Sequence, residues 1–452
     1  MSLIAETTNP LLLQALQAKL QKRGQPEGAM GSLAPVALRL GLIQHSMKPR
    51  IVAPQLLICA ADHGLAVDGL HVAPGHQTDE LVRSIVSGQA PVSALARHAG
   101  LALTVVDCGV ASRIAPHDRL LLRKIAHGTR NARVSPAMSL DQAHAAIRAG
   151  MEIGDSLKGN LVACAGLGVG SIESAALVLS RLTEVPLRDL VSSGPDMNPE
   201  MLAHLMGLLQ HAQARHRDVT DPVEVLAAFG GFETGVMVGV MLVAASKRHL
   251  ILVDGLAACA ALKVASMIAP AVTDYCVFCR SSGHEALDHS LLALQASALL
   301  DLGLNTLDGT GACLSWLLVR VAGALLSDTE TEPDRPHGPA ELAAQPLAPG
   351  GRSAPAAVAA AAASLASLAA AVGAASDSGG LLPAAVAPRS RPAPDADVPV
   401  SVPEQAMNLL SQRWPGDPGA AAPDRASFEP PSGAKTHDDA EDGNPTVPDG
   451  LG

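Results

Sequence analysis

LVACAGLGVGSIES, residues 161–174, carries a short apolar run through glycines at 166, 168 and 170 into a helical pattern. A strand, a turn without side chains and a helix start, in that order, suit an anion, because the first N–H groups of a helix lack partners. The stretch is not a dinucleotide fingerprint, since Ser171 stands where a third glycine is required, and no Gly-Lys-Ser/Thr follows to make a P-loop. Gly168, Val169 and Gly170 are expected to shape the turn, Leu167 to lead into it, and Ser171 to cap the helix.

The same unit recurs on both sides. Apolar runs at 55–60, 101–106, 249–253 and 274–278 stop at Asp62-His63-Gly64, at Asp107-Cys108-Gly109, at Asp254-Gly255 and near Arg280. Helical patterns at 78–99, 140–158, 172–182 and 235–247 lie between them. Strands alternating with helices predict an α/β fold, doubly wound, its mostly parallel sheet covered on both faces. Ligands of such sheets sit outside the carboxyl ends of the strands, where these polar and glycine residues fall. Ahead of the sheet, Asn9-Pro10 opens a helix with an apolar stripe at Leu12, Leu13, Leu16 and Leu20, and Gly24 is placed to end it.

A second stretch, LNTLDGTGA at 304–312, sets Asp308 directly before Gly309-Thr310-Gly311. An acid beside a glycine backbone that an oxyanion can approach suggests group transfer on a phosphate-bearing substrate. Other candidates read more plainly. His63 at a strand end is expected to be satisfied by its neighbours, and Glu173, inside a helix start, to point away from the turn. Glu233, early in an apolar helix, fits either a capping or a functional role. Cys276 and Cys279 read as two thiols in a buried strand, and His284, Glu285 and His289 do not complete a metal shell.

Nearly half of the chain is hydrophobic, 48%, but only 2% is aromatic, so the core must be built from Ala, Val, Leu and Ile. A net charge of −11 argues against a nucleic-acid partner. Seven scattered cysteines fit a reducing cytoplasm, no secretory signal is visible, and the apolar segment 234–246 is too short to span a membrane. The alanine run 354–371 gains little from lipid and is interrupted by Ser364 and Ser367. Residues 331–452 hold 19 of the 33 prolines and fifteen acids against seven bases, a composition that predicts disorder. The expected organisation is a folded unit over 1–330 and a low-complexity tail over 331–452.

Several separated stretches resemble one family: CAADHGLAVDGLHVAP (59–74), SGQAPVSALARHAG (87–100), VVDCGV (105–110), HGTRN with the later AM (127–138), AGLGVGS (165–171), VLAAFGGFETGVMVG (225–239), LVDG (252–255) and LLDLGLNTLDGTGA (299–312). Over about residues 10–328 the chain is similar to the nicotinate-nucleotide:dimethylbenzimidazole phosphoribosyltransferases of the cobalamin lower-ligand pathway. The resemblance implies a homodimer with a small helical subdomain from about 1–50 and 312–330, and a reaction without metal or organic cofactor. It implies transfer of phosphoribose from nicotinate mononucleotide to a benzimidazole nitrogen. By the same resemblance Asp308 falls at the position of the family's general base, the phosphate is implied to lie against Gly168–Ser171 and Gly309–Gly311, and Asp62, His63, Gly64, Ala73 and Leu167 are expected to border the aromatic base. The chain also departs from the family: Asp308 replaces a glutamate, Gly166 stands where a second glutamate is usual, and Ser171, Ile172 and Glu173 replace an Asn-Thr-Thr run. These departures leave open a diverged, non-catalytic relative that binds nucleotide or supports a partner subunit.

Overall fold

The structure, a computed structural model, describes residues 4–23, 28–70, 76–191, 198–281, 285–304 and 308–327. Seven strands, β1 (Gln55–Ala61), β2 (Ala102–Gly109), β3 (Leu120–Leu122), β4 (Leu161–Leu167), β5 (Leu250–Asp254), β6 (Cys276–Ser281) and β7 (Ala298–Asp301), form one parallel sheet in the order β3-β2-β1-β4-β5-β6-β7. The chain winds outward from β1 to one edge and from β4 to the other, so the crossovers part between β1 and β4 and leave a crevice at their carboxyl ends. Helices cover both faces, which is why β4 is apolar and buried at every position.

Two strands run further than their apolar stretches. β2 continues through Asp107 to Gly109 and β4 through Gly166 to Leu167, because the ladder continues with Gly109 opposite Ala61 and Leu167 opposite Ala60. The register of β1 against β2 shifts between Ala60 and Ala61, immediately before Asp62. The helical pattern at 78–99 is two helices, Thr78–Ser87 and Pro91–Ala99, because Gly88 closes the first in the left-handed region (φ 85°) and Pro91 opens the second. The run at 274–278 divides likewise: 274 and 275 close the 3₁₀ turn Pro270–Tyr275, and β6 begins at Cys276. β3 and β7 are edge strands of 3 and 4 residues, too short for a period to register.

Asn9 caps its helix as expected, accepting from the Leu12 N–H at 3.0 Å, whereas Gly24 lies outside the described residues. Of the stripe, Leu16 is fully buried. The helices Pro10–Gln21 and Leu33–Ile43 pack on the helix Thr310–Ser327. That last helix, not the segment 234–246, is the one described helix long and apolar enough to cross a membrane. It lies on the sheet instead, with the Trp316 indole N–H donating to the Ala99 carbonyl at 2.9 Å. All seven cysteines are buried and free, Cys276 and Cys279 among them in β6.

Candidate active site

Two clusters form outside the carboxyl ends of the central strands. The first joins β1 to β4. Asp62 accepts from the Ala111 N–H at 2.7 Å and from the Thr78 hydroxyl, whose oxygen in turn accepts from the Val169 N–H at 3.0 Å. His63 donates its backbone N–H to the Val169 carbonyl at 3.2 Å. The turn bends here because Gly168 and Gly170 take φ 156° and 86°, and a Cβ on Gly168 would lie 1.7 Å from the Ala61 carbonyl oxygen. Gly64 opens a 3₁₀ turn so close to the 130–131 backbone that a Cβ would stand 2.4 Å from it.

His63 is not satisfied by its sequence neighbours. Its Nε2 lies 3.0 Å from Oε1 of Glu233, which is fully buried in the first turn of the helix Phe232–Ser246. Ser171 is not the N-cap either. Gly170 occupies that place, Ser171 is the first helical residue, and its hydroxyl donates to Glu233 Oε1 at 3.0 Å. Glu173 lies in the first turn of that helix, half-buried, and burial raises its pKa. A side chain at position 166 has no room, because a Cβ there would meet the Ala257 methyl at 2.5 Å.

The second cluster centres on Arg280. Its Nε donates to Asp254 at 3.0 Å, one terminal nitrogen to the Leu304 carbonyl at 2.7 Å, and the other to Asp308 Oδ1 at 2.9 Å. The remaining Asp254 oxygen accepts from the N–H groups of Gly309 and Ala312 at 2.7 and 3.0 Å. This corrects one expectation: those two N–H groups at the 309–312 helix start are not free for an anion. Thr310 and Gly311 are buried within the same turn. A Cβ on Gly311 would lie 2.5 Å from both the Arg280 side chain and Asp254.

Asp308 lies over Gly255, where a Cβ would come within 1.9 Å of its Oδ2. Its side chain keeps 21% exposure while that of Asp254 has none, so Asp308 is the acid of the pair that a ligand can reach. Burial first, and the Asp254 charge second, raise its pKa to about 7 against the opposing pull of Arg280. Oδ1 is held by Arg280 while Oδ2 lies against Gly255, and the raised pKa gives the carboxylate a proton affinity suited to transfer near neutral pH.

Of the residues singled out from sequence, Ala73 and 305–307 lie outside the described residues, as does His284. His289 bonds the Asp189 carbonyl at 3.0 Å, and no metal-sized group of His, Cys, Asp and Glu occurs among the described residues. Sequence reasoning missed the joint role of Asp254 and Arg280. Each ends or nearly ends a strand, and that shared position was the available signal.

A doubly wound sheet with glycine turns at its switch point, and paired acids at the ends of the strands beside it, defines an α/β protein built to hold a small ligand there. The phosphoribosyltransferase family model matches residues 5–334, and the chain belongs to that family. It is 39% identical over 327 residues to the nicotinate-nucleotide–dimethylbenzimidazole phosphoribosyltransferase of Variovorax paradoxus (strain S110), covering 72% of this chain and 93% of the relative. The protein of the same name from Cupriavidus taiwanensis is 40% identical over 324 residues, with 71% and 93% covered. Among solved structures, CobT from Thermus thermophilus superposes with a TM-score of 0.67 at 30% identity, covering 70% of this chain and 96% of that one.

Proposed function

We propose that this chain transfers phosphoribose from nicotinate mononucleotide to a benzimidazole-type base, giving α-ribazole phosphate and nicotinate. The observation that carries the reading is Asp308, reachable, with one oxygen on Arg280 and its pKa raised to about 7. One ring nitrogen of the base attacks C1′, and the bond from C1′ to the pyridinium nitrogen breaks with its electron pair leaving on nicotinate. The proton on the other ring nitrogen passes to Asp308. Fixing the phosphate against the Gly168–Ser171 turn aligns C1′ with the attacking nitrogen. Gly309, Thr310 and Gly311 serve by close backbone approach, while Asp62, His63, Gly64, Ala73 and Leu167 border the base. The step uses no cofactor.

Incubation with nicotinate mononucleotide and a panel of benzimidazoles, followed by assay of released nicotinate, tests this directly. No release above blank with nucleotide binding intact would favour the non-catalytic alternative, which the aspartate at 308 and the filled space at 166 motivate. The pH dependence has a definite sign. A base must be unprotonated, so kcat is expected to rise with pH through about 7 as Asp308 ionises, and Arg280→Gln, which removes the cation lowering that pKa, should move the rise to higher pH.

The chain is further proposed to act as a homodimer in the cytoplasm, where seven unpaired buried thiols would persist. Its catalytic unit is proposed to comprise residues 1–330, with a small helical subdomain from 1–50 and 312–330, and its tail, 331–452, to be dispensable for the chemistry. A chain ending at 330 should keep kcat and KM within about twofold of the full protein and melt at the same temperature, since losing a segment outside the cooperative core leaves stability unchanged. A tenfold loss of kcat/KM would give the tail a place in the site.

A further inference from the structure

Glu233 has no part in the chemistry above, yet it is fully buried at the corner where β1 and β4 part. Three donors converge on its Oε1: the His63 ring at 3.0 Å, the Ser171 hydroxyl at 3.0 Å and the Thr234 hydroxyl at 3.3 Å. Its Oε2 is buried and accepts from no donor among the described residues. A carboxylate stripped of water is costly unless a cation lies against it, and the ion pair formed by Glu233 is with His63.

The imidazole is held in a cage. A Cβ on Gly170 would stand 2.8 Å from the His63 Cβ, and one on Gly231 would stand 2.4 Å from its Cε1 and 2.1 Å from Glu233 Oε2. Only glycine at both places leaves room for the ring and its carboxylate. Burial alone would lower the pKa of His63; the charge and hydrogen bond of Glu233, then the charges of Glu173 and Asp62, outweigh it and raise it. Cys108, whose pKa the Glu233 charge also raises, stays a neutral thiol chiefly because burial pushes its pKa well up. His63 is therefore a group whose protonated form is favoured by three acids drawn from three segments: the residue after β1, the first turn of the helix after β4 and the helix Phe232–Ser246. Without it, those acids would stand uncompensated beside the turn at Gly168–Gly170.

We propose that Glu233 is a positioning residue for the nucleotide, holding His63 as the cation that lets the acid-lined turn after β4 accept a phosphate. The proposal rests on the nucleotide reading above and adds to it a residue that sets phosphate affinity without touching the reacting atoms.

The test measures kcat and KM for nicotinate mononucleotide from pH 5.5 to 9.5 in the full-length wild type, Glu233→Gln and Glu173→Gln. In the wild type KM should stay flat and then rise as His63 loses its proton. In Glu233→Gln that rise should move to lower pH, because the acid that holds the proton is gone, with kcat within about threefold of the wild type. Glu173→Gln, which removes an acid from the turn, should lower KM. A Glu233→Gln profile that superimposes on the wild type overturns the proposal, and so does a fall in kcat at unchanged KM. If the wild type releases no nicotinate, the transferase reading fails, and the same comparison is made on the nucleotide dissociation constant by calorimetry. If Glu233→Gln does not fold, the His63 ring is titrated by NMR in the wild type. Loss of its proton at or below the pH of a free histidine overturns the idea, and loss above it supports the idea.

Discussion

Asp308→Asn is expected to cut nicotinate release by roughly 100- to 10,000-fold, the range that general-base catalysis contributes, while the dissociation constant for nicotinate mononucleotide changes by less than about threefold. The substitution is nearly isosteric, and its amide oxygen can still accept from Arg280, which donates to Asp308 at 2.9 Å. The loss would therefore report the missing proton acceptor and not a displaced loop. Steady-state rates and calorimetry on the same preparation separate the two; retained turnover would mean that the base is another group. Asp308→Glu is the informative companion. Aspartate reaches about 1.5 Å less far than glutamate, and a misplacement near 1 Å can cost roughly 100-fold. A faster Asp308→Glu enzyme would mark the short acid as a defect, and a slower one would show that the site over Gly255 has adapted to it.

Stability has its own test in the same variant. The Asp308 pKa is raised from its ordinary 3.8 to about 7, so the folded state binds the proton more tightly than the unfolded state between those values. Stability from this group is full below the lower value and is lost as pH rises through the upper one. Asp308→Asn should accordingly melt higher than the wild type at pH 8 and lose that advantage toward pH 4, apart from a constant offset.

Gly239→Val is expected to be the most damaging substitution in the core, costing about 3 kcal/mol or more, a large share of the 5–15 kcal/mol that holds an ordinary domain together. The helices Leu140–Ser156 and Phe232–Ser246 cross with backbone against backbone. A Cβ on Gly239 would lie 2.0 Å from the Ile147 carbonyl oxygen, and one on Gly150 would lie 1.9 Å from that of Val236. Neither obstacle is a side chain that can turn aside. The helices must separate, and every residue buried between them loses dispersion contact. Thermal unfolding should show a fall of at least about 6 °C for Gly239→Val. The double variant Gly150→Ala/Gly239→Ala should cost less than the sum of its parts, because one separation relieves both clashes. Strict additivity would show that the helices do not move as a unit. The damage should also reach the site, since Glu233 sits in the first turn of the same helix.

The sequence showed where chemistry would gather but not which groups would meet. Apolar runs ending in glycine or a charged residue located β1, β2, β4, β5 and β6, because a strand buried on both faces must be apolar until it leaves the sheet. The same rule placed Asp62, Gly168 and Asp254 at carboxyl ends. It failed at Ser171, which composition alone favoured as a cap. The helix starts one residue earlier than the side chains suggest, with Gly170 as its N-cap, and the Ser171 hydroxyl donates instead to Glu233, 62 residues away in sequence. It failed at His63 for a like reason, since the partner lies 170 residues on.

What the sequence by itself determined is the parallel α/β plan, the glycine turns, the acid at 308 and the family to which they point. All of these follow from local periodicity or from the order of short motifs along the chain. Only the tertiary structure decided the pairings: Asp254 and Asp308 sharing Arg280, Asp254 occupying N–H groups at the 309–312 helix start, and Glu233 binding both His63 and Ser171. Those pairings set protonation, because a carboxylate's pKa depends on the charges and solvent around it, and groups distant in sequence become neighbours only when the sheet brings the ends of β1, β4, β5 and β6 side by side.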